Sequence, residues 1–227
     1  MIVDCISDLH GSYPELEGGD LLIVAGDLTA RDTFKQHQEF QAWLIEQKYT
    51  KKVLIAGNHD GQYEKTVPFY TFETGICYLQ DSGTEFEYEE EEETKWGTRM
   101  LKKRLNIWGS PWTPEFYNWH FMLPRGRQLR EKWDLIPDDT DILVTHGPPL
   151  GILDATDNTV NKMERSGCAD LRDAVERVKP RLHVFGHIHG GHGQLMLKHE
   201  GPNTLCVNAA IMDESYRPRN KPIRVIL

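Results

Sequence analysis

Five short stretches decide the reading of this chain: Asp8-Leu9-His10, Gly26-Asp27, Gly57-Asn58-His59-Asp60, Thr145-His146-Gly147 and Gly186-His187-Ile188-His189. Each follows a short apolar run: Ile2-Val3, Leu21 to Val24, Val53 to Ile55, Ile142 to Val144 and Leu182 to Phe185. Branched apolar runs of that length, bounded by Gly or Asp, read as buried strands. Five strands that each end in groups able to bind a divalent cation describe an active site built along one edge of a sheet. One such block arises by chance; an ordered set of five does not.

The spacing carries chemistry. Side chains at i and i+2 of an extended chain point the same way, so the spacing lets Asp8 and His10 close on one ion, and His187 and His189 likewise. Asp27 offers one carboxylate with two oxygens, suited to bridging two ions. Asn58 contributes a neutral carbonyl oxygen and His146 a neutral imidazole, adding coordination without charge. The expected ligands are Asp8, His10, Asp27 and His189 for the first ion, and Asp27, Asn58, His146 and His187 for the second. Two divalent ions keep the site positive after Asp8, Asp27 and a bridging hydroxide are counted, and positive charge attracts phosphate. Ions about 3.5–4 Å apart hold the nucleophile and the phosphoryl oxygens together, and bound water ionises with a pKa of ~7 in favourable cases. His59, beside Asn58, is not needed as a ligand; it is expected to protonate the leaving oxygen or stabilise charge on it. Asp60 either orients His59 or holds the turn.

Together the blocks Asp8-x-His10, Gly26-Asp27, Gly57-Asn58-His59-Asp60, His146 and Gly186-His187-x-His189 resemble the calcineurin-like metallophosphoesterase superfamily. Further stretches narrow the likeness: Gly109-Ser110-Pro111-Trp112-Thr113-Pro114, Leu123-Pro124-Arg125-Gly126, Thr145 to Gly151, Leu182 to Gly186 and Val207-Asn208-Ala209. These are similar to the small metallophosphoesterase-domain-containing phosphodiesterases, class III-like enzymes of cyclic nucleotides, over nearly the whole chain. The resemblance implies an α/β fold: a four-layer αββα sandwich of two mixed β-sheets flanked by helices, with a dinuclear metal site at the strand C-terminal edge. It also implies two divalent ions, usually manganese, with iron, zinc, cobalt and nickel as alternatives, and phosphodiester hydrolysis with cyclic nucleotides among the substrates. One departure stands out. In many relatives a carboxylate three residues after the Asp of the Gly-Asp block positions the catalytic His; here that residue is Ala30, followed by Arg31 and Asp32. Either Asp32 substitutes from a shifted loop or His59 is less firmly oriented. Arg31 is similar to the phosphate-binding Arg of the phosphoprotein phosphatases, but lacks the neighbouring acid.

Composition agrees with one cytoplasmic enzyme. The 227 residues suit one large α/β domain, 1–227, because the candidate ligands run from residue 8 to residue 189 and any division would split them. A net charge of −9 argues against long nucleic acid, whose affinity rests on Lys and Arg, but not against a small nucleotide held by metal. Cys5, Cys77, Cys168 and Cys206 show no Cys-x-x-Cys spacing and read as reduced, mostly buried residues. A first ligand at residue 8 leaves no room for a signal peptide before the first strand, and no apolar run nears the ~18 residues of a membrane span.

Helices are expected over 32–49, with Asp32 as N-cap, over 124–134, and over 168–179, stopped by Pro180. Residues 84–90 should form a hairpin strand with 102–108, and 193–198, 204–208 and 223–227 should complete a second sheet. The acidic run Glu89 to Glu93 reads as a solvated hairpin tip. In the aromatic segment Trp108 to Phe121, packing and stacking on a base are both expected uses. His37, His120, His183, His192 and His199 read as hydrogen-bonded surface or core residues, with reach to the site only the lesser alternative for His192, and Arg217 and Arg219 as a solvated arm. The expected activity is hydrolysis of small phosphodiesters by a hydroxide bridging the ions, with Asp27 and Asn58 holding the ions and His59 assisting departure. A phosphomonoesterase or phosphoprotein phosphatase, a nuclease and a phosphate-binding module with weak turnover are the alternatives.

Overall fold

The computed structural model describes residues 1–65, 75–95, 97–156 and 164–227. Its first half runs β1 (Ile2–Ile6), β2 (Gly19–Ala25), α1 (Phe34–Glu46), β3 (Tyr49–Ile55), the single turn α2 (Gln62–Lys65) and β4 (Ile76–Tyr78). A long hairpin of β5 (Ser82–Thr94) and β6 (Gly97–Ser110) follows, then β7 (Thr113–Pro114), β8 (Met122–Leu123) and α3 (Arg127–Trp133). The chain continues through β9 (Ile142–Thr145), β10 (Ala155–Thr156), β11 (Glu164–Arg165) and α4 (Ala169–Val178). It closes with β12 (Leu182–Phe185), β13 (Gly193–Leu197), β14 (Thr204–Asn208) and β15 (Ile223–Ile226).

The strands form two large sheets, ordered β15-β1-β2-β3-β4 and β13-β14-β12-β9-β6-β5. In the first, β1 to β4 run parallel and β15 lies antiparallel to β1. The second combines parallel β14-β12-β9-β6 with antiparallel β13 and β5 at its edges. Period-two alternation assigns each strand residue to one of three cores. Val3, Cys5, Leu21, Ile23, Val53 and Ile55 meet Ile107, Ile142, Val144, Leu182, Val184 and Val207 between the sheets. Ile6, Leu22, Val24 and Leu54, on the other face of the first sheet, pack on Phe40 and Leu44 of α1. Leu143, Phe185 and Cys206 pack on Leu129 and Trp133 of α3 and Leu171 and Val175 of α4. That is the four-layer αββα sandwich, with each fully buried aliphatic side chain stabilising by ~1.5–3 kcal/mol.

Three local expectations change. Thr33, not Asp32, caps α1, accepting from Gln36 N, because the Asp32 carboxylate is taken up by His37 and Gln62. β15 joins the first sheet rather than the second: it covers the open edge of β1, sends Val225 into the central core, and pairs Arg224 with Asp4 at 2.8 Å. Glu89–Glu93 is not a tip but part of β5, opposite Thr98–Lys102, since cross-strand pairs such as Arg99–Glu92 let the ribbon extend. Helices α3 and α4 fall inside their expected ranges, and α4 ends on left-handed Lys179 just before Pro180. All four cysteines are free, Cys77 half-buried and the others buried. Among the described residues no helix is long and apolar enough to cross a membrane.

Candidate metal centre

The five decisive stretches converge, but from two sheets rather than one. Asp8, Asp27 and Asn58 follow β1, β2 and β3 of the first sheet; His146 and His187 follow β9 and β12 of the second. Hydrogen bonds between the sheets close the site. The Asp8 carboxylate accepts from His187 N at 2.9 Å, and His146 Nδ1 donates to the Ala25 carbonyl at 2.9 Å. Ser7, whose hydroxyl donates to the Ala25 carbonyl, is a structural tie and no nucleophile.

Strand alternation is not what brings the ligand candidates together. Asp8 (φ 55°), His10 (φ 44°), Asp27 (φ 53°) and His187 (φ 66°) all lie in the left-handed region. Each such L residue costs ~1–2 kcal/mol, so the chain gives up local stability just where these side chains must leave the strand direction. Gly26 (φ 94°) precedes Asp27, and a Cβ there would run into His146 Nδ1 and the Ala56 carbonyl. Gly186 is equally committed, because a Cβ would overlap the Asp8 carboxylate and Ser7 Oγ.

The side chains then fall into two neighbourhoods. Asp8, His10 and His189 present donor atoms within 4.8 Å of one another, with His189 Nε2 3.3 Å from Asp8 Oδ1. His146 Nε2 lies 3.0 Å from Asn58 Oδ1 and 3.4 Å from Asp27 Oδ1, and the His187 ring is centred 5.0 Å from that of His146. Asp27 belongs to both, since its other oxygen lies 3.6 Å from His10 Nε2. His187 and His189 therefore diverge, one to each neighbourhood.

The donor set fits divalent cations. His146 and His189 fix Nδ1 on backbone carbonyls, of Ala25 at 2.9 Å and of Asp213 at 3.1 Å, and so turn Nε2 inward. Second-partner bonds of this kind orient metal-binding imidazoles. His10 Nε2 is buried with no hydrogen-bond partner in the protein, an orphan that a cation satisfies. Electrostatics agree. Burial alone raises Asp8, yet the His189 hydrogen bond and nearby rings bring it down to about 2. Asp27 is held far below the carboxylate range against the same burial, chiefly by His146. Burial depresses His146, but Asp27 outweighs it and raises the ring to about 9. Burial takes His187 down to about 4 and also lowers His10, which leaves lone pairs available on both. Two ionised carboxylates that draw positive charge, beside neutral imidazoles and an amide oxygen, are a mixed oxygen and nitrogen set for transition metals.

His59 adjoins this cluster, its ring centred 4.7 Å from that of His10. Its Nδ1 donates to the main-chain carbonyl of Ala30 at 3.0 Å. Asp32 does not substitute for the missing acid: its carboxylate binds His37 Nε2 at 2.8 Å and Gln62 N at 3.1 Å. Asp60 holds the turn, accepting from the amides of Gly57, Leu28 and Thr29 at 2.8, 3.0 and 3.0 Å. Burial, with Asp27 adding to it, pushes Asp60 up to about 7.

A cleft of about 610 Å³ opens over the cluster. The aromatic segment divides across it. Phe121 is wholly buried, and Trp112 packs inward with Nε1 donating to Asp81 at 2.9 Å. Phe116, Tyr117 and Trp119 are exposed on the cleft wall, with Trp119 centred 4.4 Å from the His59 ring. Sequence reasoning missed Tyr216, also on the cleft lining, whose ring lies 4.9 Å from that of His189 and 5.2 Å from that of His10. The turn-forming residues Asp213 to Tyr216 were the available signal, because the Asp213 carbonyl that accepts from Tyr216 N also orients His189. It also missed Asn208, whose amide holds the Leu153 and Ile188 carbonyls beneath the His187–His189 loop. His183 bonds Thr145, His199 bonds Glu176 and Thr204, and His120 bonds Glu64, the plain roles expected of them. Neither His192, Arg217 nor Arg219 lines the cleft.

A family model for calcineurin-like phosphoesterases matches residues 1–191. The chain is 40% identical to human metallophosphoesterase domain-containing protein 1 over 250 residues, covering 98% of this chain and 70% of that protein. The mouse protein of the same name matches equally, at 40% over the same coverage. Among solved structures, phosphopantetheinyl hydrolase from Mycobacterium tuberculosis superposes with a TM-score of 0.55 at 16% identity, over 99% of this chain and 95% of that one. A second, the protein TT1561 of Thermus thermophilus, does so with a TM-score of 0.57 at 14% identity, over 99% and 97%. At that identity the two structures bear on the fold alone.

Proposed function

We propose, from the premise that this chain belongs to the calcineurin-like phosphoesterase family and is thereby a metal-dependent phosphoesterase, that the bonds it hydrolyses are phosphodiesters of small molecules. The observation that carries the reading is the pair of aromatic rings that line the cleft beside the ligand cluster, Trp119 against His59 and Tyr216 against His10 and His189. A diester has a substituent on each side of phosphorus, and a monoester on only one. Planar groups such as a nucleobase suit walls of this kind, so cyclic nucleotides are the substrates to examine first. Arg31, which a phosphoprotein phosphatase would aim at phosphate, is exposed and is not part of the cleft wall.

The family uses a divalent dinuclear site, and Asp8, His10, Asp27 and His189 would hold one ion, with Asp27, Asn58, His146 and His187 holding the other. Bound there, two ions supply Lewis acidity to the phosphoryl oxygens and lower the pKa of the attacking water; manganese is our first choice. Asp27 is shared, and its second role is to accept from His59 N at 2.8 Å, which fixes the catalytic loop. His59, with Nδ1–H anchored on Ala30, would as the imidazolium present Nε2–H to the leaving oxygen and pass it that proton, leaving the neutral ring. Residues 1–227 act as one domain in this reading, since β15 completes the sheet that carries Asp8. The setting is cytoplasmic, and the acidic surface disfavours long nucleic acid.

The test is hydrolysis of a nitrophenyl phosphodiester beside the matching monoester by the manganese-loaded protein. Preference for the diester is the expected result. Preference for the monoester would replace this reading with a phosphomonoesterase.

A further inference from the structure

His59 is oriented by a main-chain carbonyl, that of Ala30, and a carbonyl on a loop holds a ring only as firmly as the loop is itself held. Arg31 N, in the same peptide unit as that carbonyl, donates to Gln36 Oε1 at 2.8 Å, the amides of Leu28 and Thr29 donate to Asp60, and a further set of ties meets at Asp32. Its carboxylate accepts from His37 Nε2 at 2.8 Å and from Gln62 N at 3.1 Å, and its carbonyl accepts from Gln62 Nε2 at 2.6 Å. Its own amide donates to Thr29 Oγ1 at 3.2 Å, and that hydroxyl donates to the carbonyl of His59 at 2.9 Å. The anchor reaches the core, because His37 is buried on α1 with Nδ1 3.1 Å from the Tyr63 hydroxyl. Asp32 takes a left-handed conformation (φ 51°), which Asp adopts more readily than most L residues.

We propose that Asp32 is a positioning residue for His59: through His37 and Gln62 it fixes the Ala30 carbonyl, and that carbonyl fixes the imidazole. The carboxylate has moved one step outward, from touching the ring to bracing the loop that touches it. The inference rests on the assignment of His59 to the leaving oxygen.

Two diesters that differ only in the leaving group, a nitrophenolate and an alkoxide, separate the possibilities. They are assayed with metal-loaded wild type, Asp32→Ala, Asp32→Asn, His59→Ala and the double variant, with metal content measured for each. An alkoxide needs a proton to depart, so His59→Ala is expected to slow the alkyl ester by ~10²–10³-fold and the nitrophenyl ester far less. Asp32→Ala should show the same selectivity at about tenfold, at unchanged KM and metal content, and should add nothing once His59 is gone. Asp32→Asn keeps an acceptor for Gln62 N and should recover most of the rate. In the metal-free protein the His59 Nδ1 proton signal, sheltered by its bond to Ala30, should broaden or vanish in Asp32→Ala. Should Asp32→Ala not fold, His37→Gln loosens one tie and carries the same comparison. Equal slowing of both esters by Asp32→Ala, or its full effect persisting without His59, would overturn the positioning role while sparing that of His59. Loss of selectivity in His59→Ala itself would overturn the assignment of His59, and this inference with it.

Discussion

At the C-terminal ends of β1, β2 and β9, Asp8, Asp27 and His146 are buried within a few ångströms of one another; along β5, Glu89–Glu93 stand at the surface beside the basic residues of β6. Both regions are dense in charge. At the first, charge is desolvated and faces imidazoles rather than Lys or Arg, so it shifts those imidazoles and fits added cations. At the ribbon, Arg99 and Glu92 pair at 2.5 Å with side chains 62% and 43% exposed, where water screens most of the attraction. Such a pair contributes at most ~1 kcal/mol. Edge strand β5 gains something else: a row of glutamates discourages pairing with another chain. Burial, rather than charge count, separates a site from a solvated surface.

The sharpest way to break the comparison is to remove the shared carboxylate. Asp27→Ala should abolish both metal positions and lower turnover at least ~10³-fold, since Lewis-acid stabilisation amounts to several kcal/mol and each ~1.4 kcal/mol is tenfold. Metal analysis alongside the rate checks it; full activity in that variant would sink the mechanism. Gly186→Ala should come next. Its Cβ would overlap the Asp8 carboxylate, so a stability loss of ~1–3 kcal/mol and ~10–100-fold weaker metal binding are expected, read by denaturation and metal titration.

A smaller effect sharpens the link between burial and charge. His183 is buried beside Thr145, and burial depresses it from 6.5 to about 3. The unfolded chain binds a proton there that the folded chain refuses. Its contribution is therefore complete above about pH 6.5 and falls away as pH drops toward 3. Between pH 7 and 5 this costs ~2 kcal/mol, and the pH dependence of the denaturation midpoint should flatten by about that amount in His183→Gln. The smallest effect belongs to the ribbon. Glu92→Gln should leave turnover, metal content and melting unchanged within error, and a fall in any of them would give the ribbon a role that exposure denies it.

Much of this was legible in the residues. Short apolar runs ending in Asp8, Asp27, Asn58, His146 and His187 announced strands that bring polar groups to one cluster, because burial on both faces demands an unbroken aliphatic run and a charged residue can follow only where the strand ends. The plain roles of His183 and His199 were equally readable, as was the reduced state of the cysteines. What the residues could not show depends on contacts distant in sequence. Left-handed backbone at Asp8, His10, Asp27 and His187 is held by bonds between residues distant in sequence, such as His187 N to Asp8 and His10 N to Asp27, so extended spacing anticipated the proximity of Asp8 and His10 for a wrong local reason. The crossing of β15 to β1, the placement of Tyr216 against His189, and the split of the aromatic segment into core and cleft wall likewise follow from packing. The last such case is Ala30. Its side chain carries no acid, but its main chain carries a carbonyl like every other residue, and only the folded loop, braced through Asp32, decides that this carbonyl meets His59.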